Sequence, residues 1–206
     1  MNKMNKRKTK IILQRSFFAQ DTHKVARGLL GKLLVRRWRG KYMAGRIVEV
    51  ESYVGVNDKA CHAAKGRTKR NEVMFGEAGY AYVYLIYGMY HCLNIVTERK
   101  NFPAAVLIRA LEPVEEIDLM CKSRKTNVFN NLTTGPGKLT QALRITRALN
   151  GEDLISSDKM FVVDDGLKVG PDNIADSPRI GVDYAQEDAG LLWRYHVRNS
   201  EFVSKI

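Results

Sequence analysis

The chain has 206 residues, 34 of them Lys or Arg and 22 Asp or Glu, giving a formal net charge of +12 at pH 7. That length fits one domain with a substantial core, and no apolar run approaches the ~18–20 residues a membrane-spanning helix needs. After the basic start only Ile11, Ile12 and Leu13 are consecutively apolar, fewer than the ~7–15 of a secretory signal, and Cys61, Cys92 and Cys121 form no CxxC pair, so a reduced, cytoplasmic setting is expected.

In chain order, residues 1–14 read as a flexible basic arm without a hydrophobic period. Asp21 or Thr22 suits the start of a helix reaching Leu30, with Gly31 as its stop. Lys32–Arg39 and Lys41–Tyr53 read as two strands about Arg39-Gly40, and Tyr80–Tyr87 and His91–Thr97 as a second pair about Gly88-Met89. Ala104–Leu111 is a further strand. Pro113–Lys125 is expected as a helix, with Pro in its first turn and Glu115 and Glu116 near the positive end of the dipole. Gly135-Pro136-Gly137 introduces another helix over Lys138–Leu149, closed by Asn150-Gly151. Short strands are expected near Met160–Val163, Arg179–Asp183 and Leu192–Val197. Many strands with few intervening helices predict a single mixed α+β domain on a largely antiparallel sheet with flanking helices.

Charge is unevenly distributed. Residues 151–190 hold ten acidic side chains against three basic ones, whereas basic clusters stand at Lys3–Lys10, Arg36–Lys41, Lys65–Arg70 and Lys122–Lys125. A segregated excess of this kind suits a polyanionic partner, although any single cluster reads equally as a solvated face. Alternation along a strand puts Ile47, Glu49, Glu51 and Tyr53 on one face and Val48, Val50 and Ser52 on the other; it likewise groups Tyr80, Tyr82 and Tyr84 against Val83 and Leu85. Taken singly, the tyrosines suit a half-buried sheet and the glutamates a wet one. The tip Tyr87-Gly88-Met89-Tyr90 is unusually rich in large side chains for a turn and also fits a contact between two molecules. Together with the basic background, these residues are the parts needed to hold an unstacked base. No phosphate-binding glycine loop, zinc-deaminase signature, ligand-spaced His/Cys cluster or dinucleotide fingerprint is present, so neither a metal nor a cofactor is expected.

The blocks Arg46-Ile-Val-Glu-Val-Glu-Ser-Tyr53, Asp58-Lys-Ala-Cys-His-Ala63, Arg70-Asn71-x-x-Met74-Phe75, Tyr82–Asn94, Leu107–Pro113, Gly135-Pro-Gly-Lys-Leu139 and Arg179-Ile-Gly-Val182 resemble the alkyladenine (3-methyladenine) DNA glycosylase family, in order, from about Gly28 to near the C-terminus. The resemblance implies a single domain over residues 15–206 on a curved antiparallel sheet, acting as a monomer on double-stranded DNA that contains damaged purines. It implies that Glu51 is the general base and that Arg109 and the Ile180 carbonyl help hold the attacking water. It further implies that Tyr53 stacks on one side of the extruded base and His62 and Tyr84 on the other, and that Asn94 rejects guanine. Tyr87, beside Met89 and Tyr90, would fill the gap left in the duplex, and Arg67, Arg70 and Lys138 would contact phosphates. Two readings compete with it: a non-catalytic nucleic-acid binder, and an unrelated carbohydrate hydrolase, which the basic charge disfavours. Separately, Glu49 and Glu51, two positions apart on a strand and so ~6.6–7 Å from each other, invite a two-carboxylate mechanism, although a structural or salt-bridging glutamate at 49 is the commoner case.

Overall fold

The computed structural model describes residues 10–204. Its nine strands are β1 (Ile11–Ile12), β2 (Leu33–Trp38), β3 (Lys41–Val54), β4 (Ala81–Ile86), β5 (Tyr90–Val96), β6 (Ala104–Glu115), β7 (Met160–Asp164), β8 (Ile174–Ser177) and β9 (Arg194–Val197). They form one antiparallel sheet in the order β1-β7-β2-β3-β6-β5-β4, with β9 pairing on to β3 and β8 on to β9. The helices are α1 (Arg15–Phe18), α2 (Thr22–Leu29), α3 (Ile117–Arg124) and α4 (Pro136–Ala142). The expected mixed α+β architecture is the one observed.

Local chemistry explains several boundaries. The Asp21 side chain accepts a hydrogen bond from the Lys24 amide at 2.9 Å, capping α2, and Gly31 follows its end at φ +87°. Arg39 and Gly40, both at positive φ, make the two-residue hairpin that joins β2 to β3. Side chains from all four helices meet the sheet in the main core, including Phe18, Leu29, Met120 and Leu139 with Ile47, Val83, Leu93 and Ile108. On the opposite face, Tyr82, Val96 and Ala105 pack beneath two short 3-10 turns, His62–Lys65 and Glu72–Phe75.

Other expectations need correction. The helix foreseen from Pro113 begins only at Ile117, because β6 continues to Glu115; Pro113 pairs with Gly45 beside a register shift, where a missing N–H is tolerated. The helix foreseen over Lys138–Leu149 ends at Ala142, and Arg144 at φ +51° separates it from a 3-10 turn at Arg147–Leu149. Arg179–Asp183 is not a strand but an arch, with Gly181 at φ +73°. Of the basic arm, residues 1–9 lie outside the described residues, while Ile11 and Ile12 pair with β7 and Leu13 is buried.

The strict alternation expected of β3 also fails, in an instructive place. Ile47 pairs with Leu111, Glu49 with Ala110 and Val50 with Ile108, leaving Val48 and Arg109 as unpaired extra residues on the two strands. Ile47 and Val50, three apart, therefore both face the main core, as do Ile108 and Leu111; Val48 instead joins Ala110 and Phe202 in a separate cluster. Bulges re-aim side chains. Here they turn Arg109 towards Glu49 and Glu51 and release Ile47 from the polar face.

Candidate active site

Glu49 and Glu51 are both fully buried, contrary to the expectation of a solvated face. Glu49 is saturated by donors. Its Oε1 accepts from Arg194 Nε at 2.6 Å, Ser204 Oγ at 2.7 Å and Arg109 Nε at 3.1 Å, and its Oε2 from the Ser204 amide at 2.7 Å. Burial works against its ionisation, but Arg109, Ser204 and Arg194 together hold its carboxyl below the ordinary range. Arg109 likewise loses hydration, and the carboxylates of Glu51 and Glu49 outweigh that loss to raise its pKa.

Glu51 is less crowded. Oε1 accepts from the Ile180 amide at 2.7 Å and faces Arg109 NH1 at 3.1 Å, while Oε2 accepts only the Tyr53 hydroxyl at 2.8 Å. An ionised carboxylate offers about four lone-pair sites, so Oε2 keeps capacity for a further donor. The Ile180 contact is made by its N–H.

The three partners of Glu51, Tyr53, Arg109 and Ile180, line a cavity of about 520 Å³, while Glu51 itself, fully buried, is not among the lining residues. Its lining brings together Tyr53, His62, Tyr84, Asn94, Arg109, Ile180 and Tyr87, residues drawn from six separate stretches of sequence. The His62 ring lies 4.4 Å from that of Tyr84, and its Nδ1 is 2.9 Å from the Tyr82 hydroxyl. Burial, and secondarily the charge of Arg70, push the His62 pKa down to about 4, so this wall is neutral at physiological pH. Burial also raises the Tyr53 and Tyr84 hydroxyls well above their ordinary values, keeping both rings uncharged. Asn94 is buried, its Nδ2 donating to the Tyr82 carbonyl at 3.4 Å.

At the rim, Tyr87 and Gly88 both adopt positive φ, +51° and +69°, closing the β4–β5 hairpin. A tyrosine in that region is uncommon, and this one projects 81% exposed, with Met89 at 67% and Tyr90 at 48%. Gly137 lets α4 approach the tip, since an added Cβ would stand 3.2 Å from the Tyr90 ring.

A family model described as methylpurine-DNA glycosylase matches residues 16–201. The chain belongs to that family. Among its relatives, a protein of Methanocella arvoryzae is 55% identical over 195 residues, covering 94% of this chain and 96% of its own. One from Clostridium novyi (strain NT) is 46% identical over 202 residues, covering 94% and 98%, and one from Legionella pneumophila (strain Corby) 48% over 193, also covering 94% and 98%. Each of the three is provisionally named a 3-methyladenine DNA glycosylase. This methylpurine-DNA glycosylase family member is thus a DNA repair hydrolase of N-glycosyl bonds. Among the described residues no helix is long and apolar enough to cross a membrane.

The glycosylase's basic residues divide into two sets. The acidic 151–190 segment pairs with Arg15, Arg27, Lys32, Arg37, Arg46 and Lys59 through Asp153, Asp176, Asp164, Asp158, Asp165 and Glu187. Arg70, by contrast, is exposed beside the cavity, its guanidinium 5.5 Å from the Tyr84 ring centroid. Arg67 is forked onto Glu72 at 2.5 and 2.9 Å and lies over Phe75, and Lys138 donates to Asn131 Oδ1 at 2.5 Å; neither lines the cavity. Sequence reasoning missed Tyr184, on the 3-10 segment Asp183–Gly190, which lines the cavity and donates to the Ala60 carbonyl at 3.3 Å. It also missed Arg194 and Ser204, the partners of Glu49, which carry no local signal because their meeting is purely tertiary.

Proposed function

We propose that the protein binds double-stranded DNA as a single chain, swings an alkylated or deaminated purine into the cavity and hydrolyses its N-glycosidic bond, leaving an abasic site. One observation carries this reading: a buried carboxylate, Glu51, is bonded to Tyr53, Ile180 and Arg109, all of which line a cavity walled by neutral aromatic rings. A base inside a duplex is out of reach of any side chain, and extruding it costs about a few kcal/mol, least for damaged or mispaired bases. The exposed Tyr87 tip, flanked by Met89 and Tyr90, is suited to occupy the vacancy and offset part of that cost. Arg70, and with less freedom Lys138 and Arg67, would meet the phosphates.

In the cavity the purine would lie between Tyr53 and the His62–Tyr84 pair. A purine alkylated at N3 or N7 is cationic, and an aromatic face within reach adds ~0.5–2 kcal/mol of attraction. Neutral His62 spares that cation a like charge. Asn94, held by the Tyr82 carbonyl, would meet the 2-amino group of guanine and so reject the normal base. A water on the cavity side of Glu51 Oε2 gives its proton to the carboxylate as its oxygen bonds to C1′. The glycosidic electron pair leaves with the purine, which departs neutral if it entered as a cation, whereas hypoxanthine must also gain a proton. Arg109 fixes the carboxylate, whose negative charge stabilises the oxocarbenium character at the sugar.

The test is base release from duplexes containing 3-methyladenine, 7-methylguanine, hypoxanthine or ethenoadenine, the first being the lesion named for the relatives. Wild type is expected to release at least one of them and Glu51→Gln to lose ~10²–10⁴ in rate. Equal release by the two proteins rejects Glu51 as the base, and no release from any duplex rejects the reading altogether.

A further inference from the structure

Behind the Tyr53 wall sits a charged residue for which the base-release chemistry has no use. The side chains of Arg179 and Asp58 are both wholly buried and joined in a two-pronged pair, NH1 to Oδ2 at 2.6 Å and NH2 to Oδ1 at 2.8 Å. NH1 also donates to the Ser52 carbonyl at 3.0 Å, between Glu51 and Tyr53 on β3, and NH2 to the Asp188 carbonyl at 3.3 Å. The guanidinium lies 4.9 Å from the centroid of the Tyr53 ring and 4.9 Å from that of Trp193. Asp58 in turn accepts from the amides of Val54 and Ala60. Arg179 does not line the cavity, yet the next residue, Ile180, does, and its amide is a donor to Glu51.

We propose that Arg179 is a positioning residue for base release: it fixes the Tyr53 ring and the Ile180–Val182 arch relative to Glu51 without touching DNA. This rests on the base-release reading above. Glu51 takes a hydrogen bond from Tyr53 and another from Ile180, and Arg179 is the group that holds both donors, one through its ring and the backbone carbonyl at Ser52, the other through the chain itself. A hydrophobic side chain of similar volume would fill the same space, and replacing a buried ion pair by apolar residues often costs nothing in stability. An apolar group cannot, however, bond the Ser52 and Asp188 carbonyls and Asp58 at once. Lysine could keep the charge but not the planar fork that meets two rings and three acceptors. Arg179 thus couples β3 and the Asp58 turn, more than 120 residues earlier in the chain, to the 3-10 segment after the arch.

Two variants test this, Arg179→Lys, which keeps the charge, and the balanced Asp58→Asn/Arg179→Gln, which leaves no uncompensated buried charge. Each is compared with wild type in thermal melting, in affinity for an undamaged duplex, and in single-turnover base release with enzyme in excess, with Glu51→Gln as the inactive reference. Both variants are expected to melt cooperatively and bind undamaged duplex within about twofold of wild type, yet release base ~10–100-fold more slowly, the scale set by ~1 Å misplacement of reacting groups. A release rate within about twofold of wild type in a folded variant overturns the proposal, as does a loss that merely follows weaker duplex binding. Chains that fold only with the natural pair would make it a stability device and overturn it too. If wild type itself releases nothing, the base-release reading has failed instead.

Discussion

Replacing Glu49 by Gln should damage the fold far more than the chemistry, whereas the same change at Glu51 should do the reverse. All four contacts to Glu49 come from donors, two of them arginines, so an amide NH2 in its place would face at least one donor head-on and leave Arg109 and Arg194 short of a counter-charge. Breaking a buried pair in this way costs ~3–5 kcal/mol, or a Tm lower by roughly 6–20 °C for a chain of this size. At Glu51 a Gln oxygen can still accept from Ile180 and Arg109 while its nitrogen donates to a reoriented Tyr53 hydroxyl, so little stability is lost. Thermal melts and single-turnover base release at 15 °C, where both variants stay folded, separate the effects. Glu51→Gln should lose ~10²–10⁴ in rate and Glu49→Gln less than about tenfold. Similar losses of rate in the two would make the pair a catalytic dyad and refute the assignment of Glu49 as a scaffold. Acid sharpens the contrast. Because folding lowers the Glu49 pKa, its stabilisation is complete above the unfolded value near 4.5 and is lost as pH falls through the folded value, so the melting point of Glu49→Gln should decline less steeply below pH 4.5 than that of wild type.

Tyr53→Phe keeps the ring but removes the 2.8 Å bond to Glu51; base release should fall about 10–100-fold, on the ~1.5–3 kcal/mol scale of a charged hydrogen bond, with lesion affinity little changed in a binding assay. His62 should titrate near 4 by NMR; its contribution to stability, complete above about pH 6.5, should drain as the pH falls towards 4, and a titration near 6.5 would contradict the burial argument. Arg70→Ala should lower the slope of log affinity against log salt by about 1, while Arg67→Ala, already neutralised by Glu72, should change it much less.

Most strands and their turns were legible because hydrophobic period and turn chemistry agree: Arg39-Gly40 sits where its hairpin closes, and the turn expected at Gly88-Met89 begins one residue earlier, at Tyr87. What misled were residues whose local preference is overruled by distant partners. Pro113 reads as a helix start, yet β6 runs past it to pair with β3. Arg179–Val182 has the composition of a strand, but Asp58 and the Ser52 carbonyl hold it as an arch. Tyr53, His62, Tyr84 and Asn94, which line the cavity, and Glu51 beside them were singled out because they fall in recognisable blocks; the partners that make Glu49 structural were invisible, since Ser204 and Arg194 lie some 150 residues away. Alternation gave the polar face correctly from Glu49 to Tyr53 and wrongly for Ile47, with the bulge as the dividing line.

The paired bulges at Val48 and Arg109 make residue count as binding a requirement as residue type in these two strands. Deleting one residue of β3 between Ile47 and Glu51 would leave the extra residue of β6, Arg109, without its counterpart and shift the pairing on one side of it by a residue. Related chains are therefore expected to keep the residue count of β3 and β6 while insertions and deletions gather in the connecting loops.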